Sequence, residues 1–439
     1  MNNRKKGRYT YMRWIEVRKS RGINGSVSIL GSKNSSLPIV TACCLSDETV
    51  VLKNVPCISD IQVIYDIGKD IGINVMQKED SVKIDASGIT TADIEPKKSS
   101  KYRAAYYFVG ALLARQKKVS IGYPGGDNFG SRPIDQHVKG LEALGAKFTF
   151  LKDYYTVEAA KLTGADIYFD VVTCGATINV LLAAVLAEGR TTLRNAARDP
   201  EVVDLAIFLN KMGAKIKGAG TDTIIIDGVK KLEGTQHSII PDRLTAGSFL
   251  MSVGITSGSV VVNNVIPEHL MPCIEKLEEA GIQIETGDNF VKASSDGNIK
   301  GVNVKTGMYP GFPTDLQQPI TSLLIGSDSH SIVVDNVYPN RFKHCIELNK
   351  MGADIIMREG NVVVPGRKSL KGAWVHASDV RAGIALILAA LGAEGTTRIT
   401  GIEHIERGYE NIVEDFRELG VDIEICEDNS ISTPSEYAL

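Results

Sequence analysis

The amino-acid sequence predicts an α/β protein built from six copies of one unit, arranged as two domains of three copies each. Six times along the chain, a stretch with helical spacing ends in glycine and is followed by a hydrophobic strand. A chain of 439 residues is too long for one ordinary core, so two groups of three units are the simplest division. The repeated glycines, which are 73, 68, 68, 71 and 68 residues apart, are Gly72, Gly145, Gly213, Gly281, Gly352 and Gly420.

Each unit shows the same order of elements. An apolar helical run comes first, then a polar or glycine turn and a β-branched strand, as in LLAAVLAEGRTTLRN at 181–195. A second helix follows and ends at the repeated glycine, which is typical of a C-cap, and two short strands close the unit. Asn and Gly alternate at the strand ends, and because both tolerate positive φ, we predict a tight left-handed corner there. These corner residues are Asn54, Gly122, Asn195, Asn264, Asn336 and Gly401.

Composition excludes several classes of protein. The hydrophobic fraction of 43% and the charged fraction of 23% are typical of a soluble globular protein. A net charge of −3, with no basic block after residue 11, gives no electrostatic reason to expect nucleic acid, and no apolar run reaches the roughly 18 residues that span a bilayer. Seven scattered cysteines without CxxC spacing indicate a reducing cytosol, and the seven histidines lack HxxH or HExxH spacing. We therefore expect neither disulfides nor a metal. Residues 1–11 are predicted to be a disordered tail, with Met12 as an alternative start.

The second copy of the unit is longer than its siblings. Its corner and its glycine are 23 residues apart, whereas the other copies have 16 to 19. The extra residues fall in YPGGDNFGSRP, where Gly125, Gly126 and Gly130 surround Asp127. Such a segment can close over a bound substrate, or it can be an ordinary flexible surface loop. Both interpretations stay open on the residues alone.

Four further segments, two of them considered as a pair, carry polar residues that the other copies lack. GSKNSSLP at 31–38 places Lys33 at a strand-to-helix junction, where it could hold an anion or belong to a solvated cap. GFPTDLQQP at 311–319 carries Asp315 at a helix start, where Asp is also a common cap. SDVRAG and IERGYENI contribute Asp379, Arg381 and Arg407, which charged helix starts explain equally well. Together with Arg103, these residues favour a cleft between two domains that binds a small anionic ligand.

The order of these motifs resembles that of the UDP-N-acetylglucosamine enolpyruvyl transferase family. GSKNSSLP, PGGDNFGSRPIDQH, TCGATIN, NAARDPEVVDLAIFLNKMGA, GFPTDLQQP, SDVRA and IERGYENI occur in the family's order across residues 13–430. YYFVGALLAR and TDLQQP are most similar to the second paralogue of low-GC Gram-positive bacteria. The sister family of the shikimate pathway shares the fold, but its phosphate-binding motifs are not present in the first segment.

The resemblance implies a two-domain inside-out α/β barrel, with six βαβαββ repeats, helices inside and sheets facing solvent. One domain would comprise residues 12–33 and 242–439, and the other residues 34–241 with a mobile loop at 123–133. Family members transfer the enolpyruvyl group of phosphoenolpyruvate to the 3'-hydroxyl of UDP-N-acetylglucosamine and release phosphate, in the first committed step of peptidoglycan synthesis. They need no metal or organic cofactor. The resemblance thus implies a cytoplasmic, monomeric enzyme with small-molecule substrates and no nucleic-acid or membrane partner.

The resemblance also implies roles for individual residues. Lys33, Arg103, Arg132 and Arg407 match the cations that hold phosphoenolpyruvate, where they would stabilise charge in a tetrahedral intermediate. Asp315 matches the carboxylate near the acceptor hydroxyl and is the candidate general base, and Asp379 matches a second carboxylate at the reacting centre. The remaining expected contacts to the nucleotide sugar are Asn34, Pro133, Ile134, Asp135, Gln136, Thr173, Gly175, Asn340, Arg341, Val380 and Arg381.

The chain departs from the family pattern at several positions. Most members have Cys where this chain has Asp127, and an Asp of ordinary pKa is ionised at neutral pH unless loop closure desolvates it. We expect Asp127 to remain the catalytic proton donor and fosfomycin, which alkylates the loop thiol, to fail. Thr245 and Pro339 replace usual Glu residues, and Val380 replaces a usual Leu. Two alternatives remain: transfer to another uridine nucleotide such as UMP, or a catalytically weak paralogue that binds UDP-N-acetylglucosamine and acts through protein partners.

Overall fold

A computed structural model describes residues 12–79, 81–100, 103–125 and 133–428. The predicted tail and the predicted loop residues Asp127 and Arg132 lie outside these ranges. The described residues form six small sheets, five with four strands and one with three, and each sheet corresponds to one predicted repeat. The α/β repeat architecture is therefore confirmed.

The first three units lie between residues 33 and 238. Their strands are β3 Val50–Lys53, β4 Asn74–Lys78, β5 Ser81–Asp85, β6 Lys118–Gly122, β7 Lys147–Phe150, β8 Tyr154–Glu158, β9 Asp166–Tyr168, β10 Arg190–Arg194, β11 Lys215–Lys217, β12 Thr223–Asp227 and β13 Gln236–Ser238. Their helices are α1 Lys33–Ala42, α2 Ser59–Ile71, α3 Pro96–Ser99, α4 Tyr107–Gln116, α5 Asp135–Ala143, α6 Cys174–Ala184 and α7 Pro200–Lys211, with 3-10 turns at Cys43–Leu45 and Arg103–Tyr106.

The last three units follow from residue 243 and also recruit two N-terminal strands. Their strands are β1 Met12–Arg18, β2 Ile23–Ser28, β14 Gly258–Asn263, β15 Gln283–Thr286, β16 Phe290–Ser295, β17 Val304–Lys305, β18 Ser331–Val334, β19 Ile356–Arg358, β20 Asn361–Val364, β21 Trp374–His376, β22 Thr396–Thr400 and β23 Ile423–Asp428. Their helices are α8 Arg243–Thr256, α9 Pro267–Glu279, α10 Gln317–Leu324, α11 Lys343–Lys350, α12 Val380–Gly392, α13 Ile402–Ile405 and α14 Ile412–Glu418, with a 3-10 turn at Thr314–Leu316.

The N-terminal strands complete sheets at the far end of the chain. Strand β1 lies antiparallel between β22 and β23, so it supplies the strand that the sixth unit otherwise lacks. Strand β2 lies parallel to β14 in the sheet of the fourth unit. The start of the chain is therefore built into the second half of the molecule, as the family resemblance implies.

Helices occupy the inside of each half and sheets the outside. In α6, every residue from Gly175 to Ala184 is buried, and α12 is buried from Val380 to Leu391, because both helices are predominantly apolar around their circumference. Central strands such as β12 instead alternate between buried and more accessible residues, so one face of the sheet meets the core. Among the described residues, no helix is long and apolar enough to cross a membrane.

The buried apolar side chains form two clusters. One contains residues between Leu37 and Ile239, and the other joins residues 15–29 to residues 244–423. The chain passes from one cluster to the other twice, between Ile29 and Leu37 and between Ile239 and Leu244. These two crossings lie side by side, since Ser32 N donates to Ile240 O at 2.7 Å and Asp242 N donates to Leu30 O at 2.9 Å. We propose that each cluster is the core of one domain, with the boundaries predicted from the sequence.

The repeated glycines have the conformation predicted for helix caps. All six have φ between 86° and 104°, which a residue with a side chain rarely adopts. At Gly72 the constraint is also steric, because a Cβ there would lie 2.1 Å from Gly88 O. The repeat therefore records a backbone requirement that recurs once per unit.

The predicted left-handed corner is found in four of the six units. Asn54, Asn195, Asn264 and Gly401 have φ between 53° and 78°. The prediction is wrong for Gly122 and Asn336, which do not have positive φ. At Gly122 the absence of a side chain serves close packing, since a Cβ would lie 2.8 Å from Pro96 O.

Asparagine at these corners has a second role that the pattern did not indicate. The Nδ2 of Asn54, Asn195, Asn264 and Asn336 donates to a backbone carbonyl at the end of the neighbouring parallel strand, at 2.5 to 3.1 Å. The side-chain amide thus joins two strands, and this explains why Asn336 is retained without positive φ.

Candidate active site

A cavity of about 410 Å³ lies between the two halves and is lined by side chains from both. Six cations and four carboxylates line it among the described residues, so its walls favour an anionic ligand. No group of three or more His, Cys, Asp or Glu in the described ranges could hold a metal ion. The cavity includes these residues predicted from the sequence: Lys33, Asn34, Arg103, Thr173, Gly175, Asp315, Arg341, Val380, Arg381 and Arg407.

In each of the six units the first long helix, which we call the inner helix, begins at this cavity. Residues at or just before the first turns of α1, α4, α6, α8, α10 and α12 line it, one helix from each unit. A helix N-terminus carries partial positive charge and backbone N–H groups without helical partners, both of which attract anions. At α6 the approach requires Gly175, because a Cβ would lie 2.5 Å from the hydroxyl oxygen of Tyr106. The repeat architecture itself therefore brings six helix N-termini to one cavity, an arrangement that favours an anionic ligand.

Lys33 and Arg407 share one buried carboxylate, that of Asp60. Lys33 Nζ lies 2.5 Å from Asp60 Oδ2, and Arg407 Nε lies 2.9 Å from Asp60 Oδ1. Burial lowers the pKa of Lys33, although the charge of Asp60 opposes this. Burial would raise the pKa of Asp60, but Lys33 and Arg407 outweigh it and hold that pKa below its usual value. Lys33 and Arg407, two residues expected to bind phosphoenolpyruvate, are thus joined by Asp60, which the sequence analysis did not identify.

Asp315 is held by two arginines that come from different units. Arg341 Nη1 lies 2.5 Å from Asp315 Oδ1, and Arg381 Nε lies 3.2 Å from Asp315 Oδ2. Arg381 also donates to the hydroxyl of Tyr409 at 3.0 Å. Burial would raise the pKa of Asp315, but the two guanidinium groups outweigh it and hold that pKa well below its usual range. Asp315 is therefore ionised at neutral pH, as the partner of the two guanidinium groups.

Asp379 lies behind the cavity wall rather than in it. Its Oδ1 accepts hydrogen bonds from Arg381 N at 2.9 Å and Ala382 N at 3.2 Å, so it caps α12. Arg341 Nη2 lies 3.7 Å from the same oxygen, and Gln318 Nε2 donates to the other at 3.4 Å. Asp379 is therefore a helix cap that also pairs with the side chain of Arg341, one of the two arginines bound to Asp315.

Arg243 forms a second charged cluster at one side of the cavity. Its guanidinium pairs with Glu201 at 3.2 Å and Asp199 at 3.7 Å, and lies 5.3 Å from the ring centre of Tyr309. Burial, with the nearby charge of Glu201, raises the pKa of Asp199 to about 6 although Arg243 opposes the shift. Arg243 and Glu201 come from opposite halves, so this cluster joins the two sides of the cleft.

Several expected substrate contacts lie away from the cavity that the described residues form. Four of them lie at or just before the start of α5 and do not line the cavity, namely Pro133, Ile134, Asp135 and Gln136. Gln136 instead binds Asp170: its Nε2 donates to Oδ2 at 3.1 Å, and its Oε1 accepts from Asp170 N at 2.9 Å. Asn340 is exposed and likewise does not line the cavity.

The repeat contains a signal that could have found Asp60. It lies six residues after the corner Asn54, and the equivalent positions after Asn195 and Gly401 are Glu201 and Arg407. All three begin or precede a second helix and line the cavity. Comparing the copies at this offset would have shown that three of the six carry a charged residue, whereas Asp60 alone resembles an ordinary helix start.

The sequence profile of the family described as EPSP synthase (3-phosphoshikimate 1-carboxyvinyltransferase) matches residues 17–416. The fold agrees with two solved structures. One, the enolpyruvyl transferase NikO from Streptomyces tendae, superposes with a TM-score of 0.87 at 22% identity over 95% of this chain and 100% of that one. The other, EPSP synthase from Acinetobacter baumannii, gives 0.72 at 19% identity over 95% and 100%. These matches define the class, the enolpyruvyl transferases.

Curated relatives give a finer assignment. UDP-N-acetylglucosamine 1-carboxyvinyltransferase 2 from Bacillus cereus is 47% identical over 94% of this chain and 96% of its own length. The proteins of the same name from Bacillus subtilis and Clostridium acetobutylicum are 46% and 47% identical, over 94% and 91% of this chain and 96% of each relative. The chain belongs to the UDP-N-acetylglucosamine 1-carboxyvinyltransferase family.

Proposed function

We propose that the protein transfers the enolpyruvyl group of phosphoenolpyruvate to the 3'-hydroxyl of UDP-N-acetylglucosamine and releases phosphate. The observation that carries the proposal is the clustering of Lys33 and Arg407 beside Asp315, in a cleft where six helix N-termini meet. The sequence identity of 46 to 47% to enzymes with this name supports the acceptor. The product would be the first intermediate committed to peptidoglycan.

The reaction proceeds by addition and then elimination. In the addition, the acceptor oxygen bonds to C2 of phosphoenolpyruvate, its proton leaves to a base, and C3 gains a proton from an acid. In the elimination, C3 loses a proton and the bond from C2 to the phosphate oxygen breaks. Lys33 and Arg407 bind the phosphate and carboxylate, so that negative charge is stabilised as it redistributes in the tetrahedral intermediate.

Asp315 is the proposed base for the acceptor hydroxyl. Its carboxylate is held by Arg341 and Arg381, which both line the cavity, and guanidinium groups also bind phosphate oxygens well. A diphosphate that attracts these arginines would weaken their hold and raise the basicity of Asp315. Nucleotide binding would in this way prepare the base for the chemical step.

Asp127 is the proposed acid that protonates C3. It lies outside the described residues, so its role rests on its position in the family motif. A carboxylate is a much weaker nucleophile toward an epoxide than the family's thiolate, and we propose that the enzyme is insensitive to fosfomycin. We also propose that it acts as a monomer in the cytoplasm.

Variants of the cations test the assignment of the cleft. Lys33→Ala and Arg407→Ala should each reduce phosphate release by at least about a hundredfold, because each removes a charge that the transition state needs. Lys69→Ala is the matched control, since Lys69 is half exposed on α2 and faces Asp66 rather than the cavity. Wild-type turnover that persists in both cleft variants would contradict the proposal.

A further inference from the structure

Arg103 and Tyr338 face each other across the cleft and are joined by a hydrogen bond. Arg103 Nη1 donates to the hydroxyl of Tyr338 at 3.0 Å, and the two residues are 235 positions apart in sequence. The guanidinium of Arg103 also lies 5.6 Å from the centre of the Tyr106 ring. Both Arg103 and Tyr338 line the cavity. The guanidinium is therefore fixed from two sides, once by each half of the molecule.

The turn that carries Tyr338 is itself held firmly. Asp335 is 1% exposed, and its Oδ1 accepts from Tyr338 N at 2.8 Å and Val337 N at 2.9 Å. Its Oδ2 accepts from the hydroxyl of Thr314 at 2.7 Å. Because Thr314 precedes Asp315, one buried carboxylate sets the position of Tyr338 relative to the proposed base. A phenol on so rigid a turn is suited to orient another side chain.

Arg103 has a hydrogen-bond partner of a different chemical kind from the partners of the other arginines that pair across the cleft. Arg407 and Arg243 pair across the cleft with the carboxylates of Asp60 and Glu201. Within the described ranges, no carboxylate lies within ion-pair distance of Arg103, and its partner is a neutral hydroxyl. A phenol oxygen accepts a hydrogen bond without cancelling the charge. Arg103 can therefore be held in place while its positive charge stays available to an anion.

We propose that Tyr338 is a positioning residue, whose hydroxyl holds Arg103 in the orientation that binds the anionic groups of phosphoenolpyruvate. This inference rests on the proposed function, because it assigns Tyr338 to the same site. The hydroxyl reduces the freedom that the guanidinium would otherwise lose when the anion binds.

Tyr338→Phe tests the proposal, since it removes one oxygen and keeps the ring that packs 5.9 Å from the Arg341 guanidinium. We expect the KM for phosphoenolpyruvate to rise about tenfold, in keeping with a lost hydrogen bond to a charged group, while kcat changes less than about threefold. The KM for the nucleotide should stay within about twofold. Tyr168→Phe is the control, because Tyr168 is 59% exposed on β9.

A double-mutant cycle separates positioning from general damage. In an Arg103→Lys background, Tyr338→Phe should have little further effect on the KM for phosphoenolpyruvate, because the partner is already changed. An unchanged KM in Tyr338→Phe, or equal effects in both backgrounds, would overturn the inference. If the wild type shows no turnover, the proposed function fails instead. Calorimetric titration with phosphoenolpyruvate then decides, since weaker binding by Tyr338→Phe supports the inference and equal binding overturns it.

Discussion

The substitution Asp60→Asn tests whether one buried carboxylate maintains the cations that bind phosphoenolpyruvate. Asn keeps the volume of Asp and one acceptor oxygen, but it removes the charge that lies 2.5 Å from Lys33 Nζ and 2.9 Å from Arg407 Nε. A hydrogen bond to a charged group contributes about 1.5 to 3 kcal/mol. Because about 1.4 kcal/mol corresponds to a factor of ten, the loss of one such bond predicts a fall of roughly ten- to a hundredfold in kcat/KM for phosphoenolpyruvate.

The substitution Asp60→Asn should also shift the pH profile of kcat/KM for phosphoenolpyruvate. Burial lowers the pKa of Lys33, Arg407 and Arg381 lower it further, and Asp60 is the group that raises it. Without Asp60 the pKa of Lys33 falls further, so Lys33 loses its proton at a lower pH and the alkaline limb of kcat/KM moves to lower pH. The assay is phosphate release as a function of pH between about pH 6 and pH 10, the range below the ordinary Lys pKa of about 10.4.

The controls separate the charge of Asp60 from the structure of its helix. Asp60→Glu should restore part of the activity, and Asp66→Asn removes an exposed carboxylate from the same helix and should change neither rate nor profile. Asp60→Asn with a wild-type profile would refute the reasoning. Tighter binding of phosphoenolpyruvate by this variant would also refute it, because Asp60 would then act as a competitor for the cations rather than as their support.

Three further predictions follow from the site, the loop and the scaffold. Asp315→Asn should lower kcat by at least about a hundredfold as the base is lost. The pKa of Asp315 is lower in the folded state than in the unfolded state. The ionised carboxylate therefore contributes its full stabilisation above the unfolded-state pKa of about 3.9, and this stabilisation is lost as the pH falls through the folded-state pKa. The difference in free energy of unfolding between wild type and Asp315→Asn should thus be constant from about pH 6 to pH 9, and a difference that disappears there would contradict the assignment. Asp127→Cys should convert a fosfomycin-insensitive enzyme into one that is inactivated with time and carries an adduct at residue 127, whereas inactivation of the wild type at that residue would show the loop chemistry to be wrong. Asn195→Ala should lower the free energy of unfolding in urea by about 2 kcal/mol, because Ala is strained at φ 54° and the 2.9 Å hydrogen bond to Phe169 O is lost. Asn195→Ala should also be less stable than Asn195→Gly. Equal stability of these two variants would contradict the role of positive φ.

The scaffold was predictable because its constraints recur. A helix end that needs positive φ selects glycine in every unit, so Gly72 and its five counterparts are visible as a repeat. The prediction of a left-handed corner after each strand was less reliable, because two structural requirements act at that position. Asn195 satisfies both the backbone conformation and the bond to the next strand, whereas Asn336 satisfies only the bond.

The site was predictable where residues stand out from their copies, and not where they work in pairs across the cleft. Lys33 and Asp315 interrupt the pattern of the repeat, and both line the cavity. Asp60 and Tyr338 have ordinary local contexts, and their importance comes from partners that lie 347 and 235 positions away in sequence. Such pairings depend on how the two halves face each other, which no single segment encodes.

The convergence of helix N-termini explains how a repeated unit produces one site. Each unit contributes the start of one inner helix, and symmetry alone would give a ring of similar anion-binding ends. The copies then diverge at these ends, with Lys33 in the first, Asp315 in the fifth and Arg381 in the sixth. Function thus lies in the differences between copies that share one architecture.

The most direct test of the account is phosphate release from phosphoenolpyruvate with UDP-N-acetylglucosamine, with UMP and with no acceptor. The account predicts turnover with UDP-N-acetylglucosamine alone and a product that carries one enolpyruvyl group on the 3'-oxygen of the sugar. Turnover with UMP alone would assign the protein to another acceptor. No turnover with either, by a folded protein that binds UDP-N-acetylglucosamine, would contradict the catalytic assignment of the cleft.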